Sequence, residues 1–312
     1  MRAETTMISK LRTASEIGEN ILNDPNVAHL FIHKHEVVGS HLIPGLNIDV
    51  ESFEDSIKLN IKLDDGIIVE NPVHMCFGMM PKKGIQRIIM NTKIGKNSKI
   101  SILAHCSFPN AIDVKHIMDA DIIIEKGASY SYFERHIHGN FGGIKVIPKA
   151  KIHVMDSASF STEFELLKGR VGLIDIDYEV TCKKKSILDM MARINGRGDD
   201  IIKIRETGNL IGDYARGVLT SRVAVRDNAS AEVFSKLSAS GSFARGHVDC
   251  KEIVQDNGKV SAVPIVDVSN PKAHITHEAS LGSVDSKQLQ TLMARGLTED
   301  DATDLIINGL LS

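Results

Sequence analysis

Four cysteines, Cys76, Cys106, Cys182 and Cys250, are the first candidates for soft-metal chemistry, and no two stand in CxxC spacing. Cys76 lies among Met75, Phe77, Met79 and Met80, and Cys106 beside Ala104 and Phe108, settings that suit small buried residues. Cys182 adjoins Lys183-Lys184-Lys185, which reads as a solvated basic edge. Cys250 differs. In His247-Val248-Asp249-Cys250-Lys251-Glu252 nearly every neighbour is polar, so candidate ligands flank the thiol and a lysine favours its thiolate.

Histidines cluster as His33 with His35, His136 with His138, and His274 with His277. Residues two apart on a strand share a face, the minimum needed to grip a metal. The stretch His274-Ile275-Thr276-His277-Glu278 adds a carboxylate to its imidazoles. Thiolate, imidazole and carboxylate together suit iron or an iron–sulfur cluster, and also zinc. A straight strand sends His277 and Glu278 to opposite faces. Both serve one site only if the strand bends there or a second chain takes part. The P-loop, GxGxxG, HExxH, GxSxG and EF-hand spacings do not occur, so nucleotide hydrolysis by this chain is not expected. Arg197-Gly198-Asp199 reads as a loop between strands.

Elements must position these groups. Met7, Leu11, Ala14, Gly18 and Ile21 recur at helical spacing, and Asp24-Pro25 ends that run. Ile57, Leu59, Ile61 and Leu63 alternate with polar residues. Asp64-Asp65-Gly66 reads as the turn of a hairpin, with Ile67-Ile68-Val69 its return strand. From about residue 85 to 279, short β-type pieces follow similar small-polar turns. These are Lys96-Asn97-Ser98-Lys99, Lys126-Gly127-Ala128-Ser129, Lys149-Ala150-Lys151, Asp156-Ser157-Ala158-Ser159, Asp227-Asn228-Ala229-Ser230 and Asp256-Asn257-Gly258-Lys259. The intervals Asn97 to Gly127, Gly127 to Lys149 and Asn228 to Asn257 fall in the range of a solenoid period, in which each coil covers the apolar edge of the next. Cys250 and His277 stand about one such coil apart, so stacked coils would bring them near one another. A β-sandwich is the competing reading. Leu188–Arg193 fits a helix or a strand. The last segment reads as two helices. Leu289, Leu292 and Met293 stripe the first, which Asp285 or Ser286 caps and Gly296 closes. Thr298 with Asp301 caps the second, which carries Ala302, Leu305, Ile306 and Leu310. Such helices either cap the open end of a solenoid or dock into a partner.

Composition narrows the classes. Thirty-seven basic against 40 acidic residues give a net charge of −3, which argues against nucleic-acid binding by bulk positive charge. The 42% hydrophobic content excludes global disorder, and 4% aromatics with no Trp suit thin coils filled by Ile, Val and Ala. The polar start, Met1-Arg2-Ala3-Glu4-Thr5-Thr6, has no signal-peptide form, and no apolar run is long enough to span a bilayer. A cytoplasmic protein with free thiols, without nucleic acid or membrane as partner, is expected.

His277-Glu278-Ala279-Ser280, then Gly282, Asp285, Gln288-Leu289, Met293-Ala294-Arg295-Gly296-Leu297 and Thr298-Glu299-Asp300-Asp301-Ala302, resembles the carboxy-terminal signature of the SufB/SufD family. That family supplies the scaffold of the SUF iron–sulfur cluster assembly system. The likeness extends more loosely back through Asp227-Asn228-Ala229, Arg222 and 122–128. It implies a mainly β fold: a right-handed parallel β-helix over 81–280, a small α/β region over 1–80, and two helices over 281–312. It implies a SufC-like ABC ATPase docked on those helices, pairing through the late coils, here as a homodimer, and recipient apo iron–sulfur proteins. The family's functional cysteine falls on Cys250, its histidine on His277 and the neighbouring acid on Glu278, with Asp249 and His247 as further candidate ligands of a transiently held iron–sulfur cluster. A homodimer would build the site from Cys250 of one chain and His277 of the other. The chain departs from longer bacterial members in its short amino terminus. It also carries His136 at or near the place of a cysteine expected in the early β-helix, a departure from the sulfur-transfer route of those members. A non-enzymatic scaffold for cluster assembly is therefore expected. The alternatives are a β-helix that regulates an ATPase without binding a cluster, and a polysaccharide-acting β-helix using paired carboxylates. Sugar-stacking Trp is absent, which disfavours the latter.

Overall fold

Strict in–out alternation builds most of this chain. Ser129–His138 alternates half-buried and buried residues along its whole length, and Leu173–Cys182 nearly does so. Period-two burial is what a strand with one dry face requires. In the computed structural model, which describes residues 2–312, these strands stack into a parallel β-solenoid of about eight turns. Met1 lies outside the described residues.

Each coil contributes two strands, one to each of two facing sheets. The first sheet includes β1 (His29–His33), β2 (Glu36–His41), β5 (Val73–Gly78), β7 (Lys99–Phe108), β9 (Ser129–His138), β11 (Ser159–Lys168), β13 (Ile187–Gly196), β15 (Arg216–Val225), β17 (Arg245–Val254) and β19 (His274–Gly282). The second includes β3 (Leu46–Ser52), β4 (Ile57–Leu63), β6 (Lys83–Ile94), β8 (Asp113–Ile124), β10 (Ile144–Val154), β12 (Leu173–Cys182), β14 (Ile201–Leu210), β16 (Ser230–Ala239) and β18 (Lys259–Val268). Within each sheet, stacked strands from β4 and β5 onward pair in parallel. Inward residues form columns across coils, as in Glu134, Phe164, Ala192, Ser221, Cys250 and Ala279.

Left-handed backbone marks the corners. Asn97, Gly127, Ser157, Lys185, Tyr214 and Phe243 all have positive φ, each one coil after the last. A second column on the other edge holds Gly198, Asp227 and Asp256. Aspartates bind neighbouring coils there: Asp227 Oδ2 accepts from the Gly198 amide at 2.7 Å and Asp256 Oδ2 from the Asp227 amide at 3.1 Å. Lys149-Ala150-Lys151, expected as a turn, lies inside β10 instead, so the interval from Gly127 to Lys149 is not a coil period.

Other expectations change. The amino-terminal helical run divides into α1 (Arg2–Ala14) and α2 (Glu19–Asn23), with Glu16 at φ 56 between them. β4 forms its antiparallel pair with β3, not with 67–69. After Asp64-Asp65-Gly66 the chain moves on to the next coil, where Ile68 bridges Lys99 in parallel. Solenoid stacking thus begins inside the 1–80 region. Residues 188–193 belong to β13.

The carboxy-terminal helices are α3 (Ser286–Met293) and α4 (Glu299–Leu311). Asp285 caps α3 by accepting from the Gln288 amide, and Thr298 caps α4 by accepting from the Asp301 amide. The helix α4 does not close the solenoid end. It packs on the flank of β13 and β15, burying Ile307 and Leu311 beside Ala224 and Val284. Asp304 accepts from Arg197 at 3.0 Å and also from Arg226. No helix among the described residues is long and apolar enough to cross a membrane.

Candidate functional site

Two sets of inward-facing polar residues interrupt the apolar bore. The first lies in the early coils. Cys106 on β7 pairs in register with His136 on β9, and Glu134, two residues before His136, shares its inward face. His116 reaches in from β8 on the facing sheet. One donor atom from each of these four residues lies within 4.8 Å of all the others. Cys106 Sγ is 3.8 Å from His116 Nε2 and 3.7 Å from Glu134 Oε1, which is 2.7 Å from His136 Nε2. All four residues are at most 1% exposed.

Neighbours fix the orientation of this group. Gln86 Nε2 donates to the carbonyls of Lys34 at 2.9 Å and Gly78 at 3.3 Å. Both partners only accept, so Gln86 Oε1 must be the atom that receives His116 Nδ1–H at 3.0 Å. That tautomer leaves the His116 Nε2 lone pair facing Cys106. His136 Nδ1 meets His138 Nε2 at 3.1 Å, which leaves Nε2 facing Glu134. Burial sets the charges. It lowers His116 and His136 to about 3, so both are neutral imidazoles. It raises the Glu134 carboxyl to about 7, although His116, Cys106 and Tyr178 favour its charged form. Burial and then the Glu134 charge push the Cys106 thiol well above its ordinary value.

The second set surrounds Cys250, in the penultimate coil. Its side chain points into the bore and is fully buried. Burial raises its thiol, opposed by hydrogen bonds with Ser221 and Ser235. Lys251, expected to favour the thiolate, points to the other face and pairs with Asp249 at 3.5 Å. Ser221 Oγ donates to Glu252 Oε1 at 2.9 Å, and Glu206 completes the polar lining. Burial lifts Glu252 to about 7 and Glu206 to about 8.

The other expected ligands lie elsewhere within the single chain. His277 pairs with Val248 and Ala279 with Cys250, so His277 shares the face of Cys250 one coil on and two positions displaced. His277 and Glu278 are exposed on the terminal strand. Glu278 pairs with Asp249 on the opposite face, since β19 runs unbent through both residues. Asp249 is held by Arg222 at 2.5 Å, and His247 Nδ1 contacts Thr276 Oγ1 at 2.7 Å. One chain therefore places Cys250 and His277 on adjacent coils and keeps Glu278, Asp249 and His247 on the outer side.

The family profile described as "SUF system FeS cluster assembly, SufBD core domain" matches residues 86–310, the whole solenoid from β6 onward and both last helices. An iron–sulfur cluster assembly SufBD family protein of Methanocaldococcus jannaschii is 36% identical over 305 residues, covering 98% of this chain and 96% of that protein. The chain belongs to the SufB/SufD family. A SufBD family protein of Pyrococcus horikoshii is also 36% identical, across 91% of this chain and 87% of its own length. The SufB protein of Bacillus subtilis matches over only 69 residues, at 33% identity and 22% of this chain. This SufBD protein accordingly has a role in iron–sulfur cluster assembly.

Sequence reasoning misses the early-coil group of this SufBD protein. Its apolar neighbours make Cys106 look like a small core residue, and Glu134, two residues before His136, goes unremarked as a partner on the same face. The signal emerges once the coil length is known: Cys106 and His136 stand one coil apart in register, as do Gln86 and His116. The remaining ingredient, that β8 faces β7 and β9 across the bore, belongs to the tertiary structure.

Proposed function

We propose that this chain is a non-enzymatic scaffold on which an iron–sulfur cluster is built and passed on, with Cys250 as the principal ligand and His277 and Glu278 completing the site across a dimer. One observation carries this reading. Among the described residues, β18 and β19 are the last strands of their sheets, and no further coil covers them. Unpaired strand edges invite pairing with another chain. A second copy laid against this end would bring its own His277 to within one coil of Cys250, and a site that takes His277 from one chain and Glu278 from the other escapes the opposite-faces problem of a single chain. Ala279 covers Cys250 in register, so β19 must shift before the thiolate meets a cluster at the interface.

An ATPase of the SufC type is the partner that would drive such a shift in the cytoplasm. The helix α3 supports this, since it buries none of its residues and leaves Met293 40% exposed, while Leu305 on α4 is 52% exposed. An apolar helix stripe without an internal partner suits docking on another protein. Mixed thiolate and imidazole ligation, short of four thiolates, leaves a cluster easier to release to apo acceptors.

Anaerobic reconstitution with ferrous iron and sulfide tests the reading. Wild-type protein is expected to turn brown and bind cluster, and Cys250→Ser to lose most of it. Equal cluster content in Cys250→Ser would remove the cysteine assignment. A colourless wild type would favour a β-helix that regulates the ATPase without binding a cluster.

A further inference from the structure

We propose that the early coils hold one divalent transition-metal ion, zinc or ferrous iron, in a closed site made by Cys106, His116, Glu134 and His136. This site is separate from the one at Cys250 and does not depend on it.

Its size points to a single ion. Zinc lies about 2.3 Å from sulfur and 2.0–2.2 Å from nitrogen or oxygen, so tetrahedral ligands of this set sit roughly 3.3–3.7 Å apart. The separations of Cys106 Sγ from His116 Nε2 and Glu134 Oε1, 3.8 and 3.7 Å, are close to that value, whereas Glu134 Oε1 and His136 Nε2, hydrogen-bonded at 2.7 Å, must part as the ion enters. With all four donors within 4.8 Å, there is no room for a cluster whose ligands sit on separate irons.

Charge balance points the same way. Thiolate and carboxylate supply two negative charges, two neutral imidazoles add none, and a divalent cation brings the buried total to zero. Without the cation, burial favours a protonated thiol and carboxyl in the same pocket. Glu134 Oε2 there has no hydrogen-bond partner, although its residue is 1% exposed. Such orphaned atoms cost free energy unless something coordinates them. Binding would release the Cys106 proton, and that of Glu134 where it is held, to solvent.

The outer contacts match those of metal-bound histidines. His116 gives its second nitrogen proton to Gln86, which is anchored by two backbone carbonyls, and His136 is backed by His138. Such partners fix ring tautomer and direction. With four protein ligands and no open position, the site is structural and not catalytic. It would tie β7 and β9 of one sheet to β8 of the other.

Because the donors are enclosed, the ion must enter as the chain folds. Full-length protein expressed in cobalt-supplemented medium provides the test. One equivalent of Co(II) is expected, with a thiolate-to-cobalt charge-transfer band and intense tetrahedral d–d bands. Absorption-edge fine structure should show one sulfur and three nitrogen or oxygen neighbours. Cys106→Ser should abolish the charge-transfer band, and Cys250→Ser should leave it intact. Protein from unsupplemented cells should carry one equivalent of zinc or iron by elemental analysis, which tells the two apart. The proposal falls if wild type carries no stoichiometric metal, if its cobalt spectrum lacks sulfur, or if the band survives Cys106→Ser. It also falls if the band vanishes in Cys250→Ser. If Cys106→Ser fails to fold, the wild-type fine structure and the volume-conserving Glu134→Gln, expected to shift the d–d bands, decide. Failed cluster reconstitution with an intact cobalt signal would refute the scaffold reading and leave this site standing.

Discussion

Glu206 shows what a single side chain contributes in the bore. Burial lifts its carboxyl from 4.5 to about 8, and Oε2 has no hydrogen-bond partner. Between those values the unfolded chain is ionised while the folded one keeps its proton. A raised carboxyl contributes stability that is present below the unfolded value and lost as pH rises through the folded one. Chemical denaturation should therefore show stability falling as pH climbs from about 5 to about 9, with Glu206 contributing roughly 2–5 kcal/mol of the fall. Glu206→Gln cannot ionise and should flatten that part of the profile. An unchanged slope would mean that water reaches Glu206. Cys250 lies in the same lining but differs in access: its thiol is one coil from the open end, whereas Cys106 is enclosed on all sides.

At the scale of elements, the corners and the last helix are the instructive parts. Gly169, at φ 84, closes the turn after β11, and a methyl group there would overlap the backbone carbonyl of His138 on the preceding coil. Gly169→Ala should destabilise the solenoid by about 1–3 kcal/mol, seen as a lower denaturation midpoint, because both the left-handed backbone and the coil spacing oppose a Cβ. Ile307 makes the comparable test for α4, being fully buried between that helix and β15. Ile307→Ala should weaken helix docking by about 2–4 kcal/mol. Faster amide exchange confined to α4, with solenoid strands still protected, is the expected readout. Loss of protection throughout would show that the helix and solenoid unfold as one unit.

The whole molecule is a rod of stacked coils, and Cys250 lies one coil from its carboxy-terminal end. Near the start, β2 and β3 pair antiparallel with β1 and β4 and are the last strands of their sheets, as β18 and β19 of the open coil are at the far end. Leu281, 53% exposed on β19, lies on that open coil. If copies pair there, Leu281→Arg should shift sedimentation equilibrium from dimer to monomer without lowering the denaturation midpoint. A dimer of undiminished affinity would place the interface elsewhere.

By itself, the sequence determined the local pattern. Alternation in 129–138 or 173–182, turn residues able to take positive φ, and the caps Asp285 and Thr298 are dictated by backbone sterics and side-chain polarity over short stretches of chain. The coil period was legible only approximately, since Lys149-Ala150-Lys151 has turn-like composition yet lies mid-strand, where its neighbours on β8 and β12 satisfy it. Only the tertiary structure decided which residues meet. Register placed Ala279, and not His277, over Cys250. Helix α4 went to the flank of the sheet because Ala224, Arg226 and Arg197 await it there. The group of Cys106, His116, Glu134 and His136 exists because two sheets face each other across a narrow bore. Contacts between strands one coil apart on the same sheet follow from the period, but contacts across the bore depend on how the coil turns, and that is set by packing the whole interior at once.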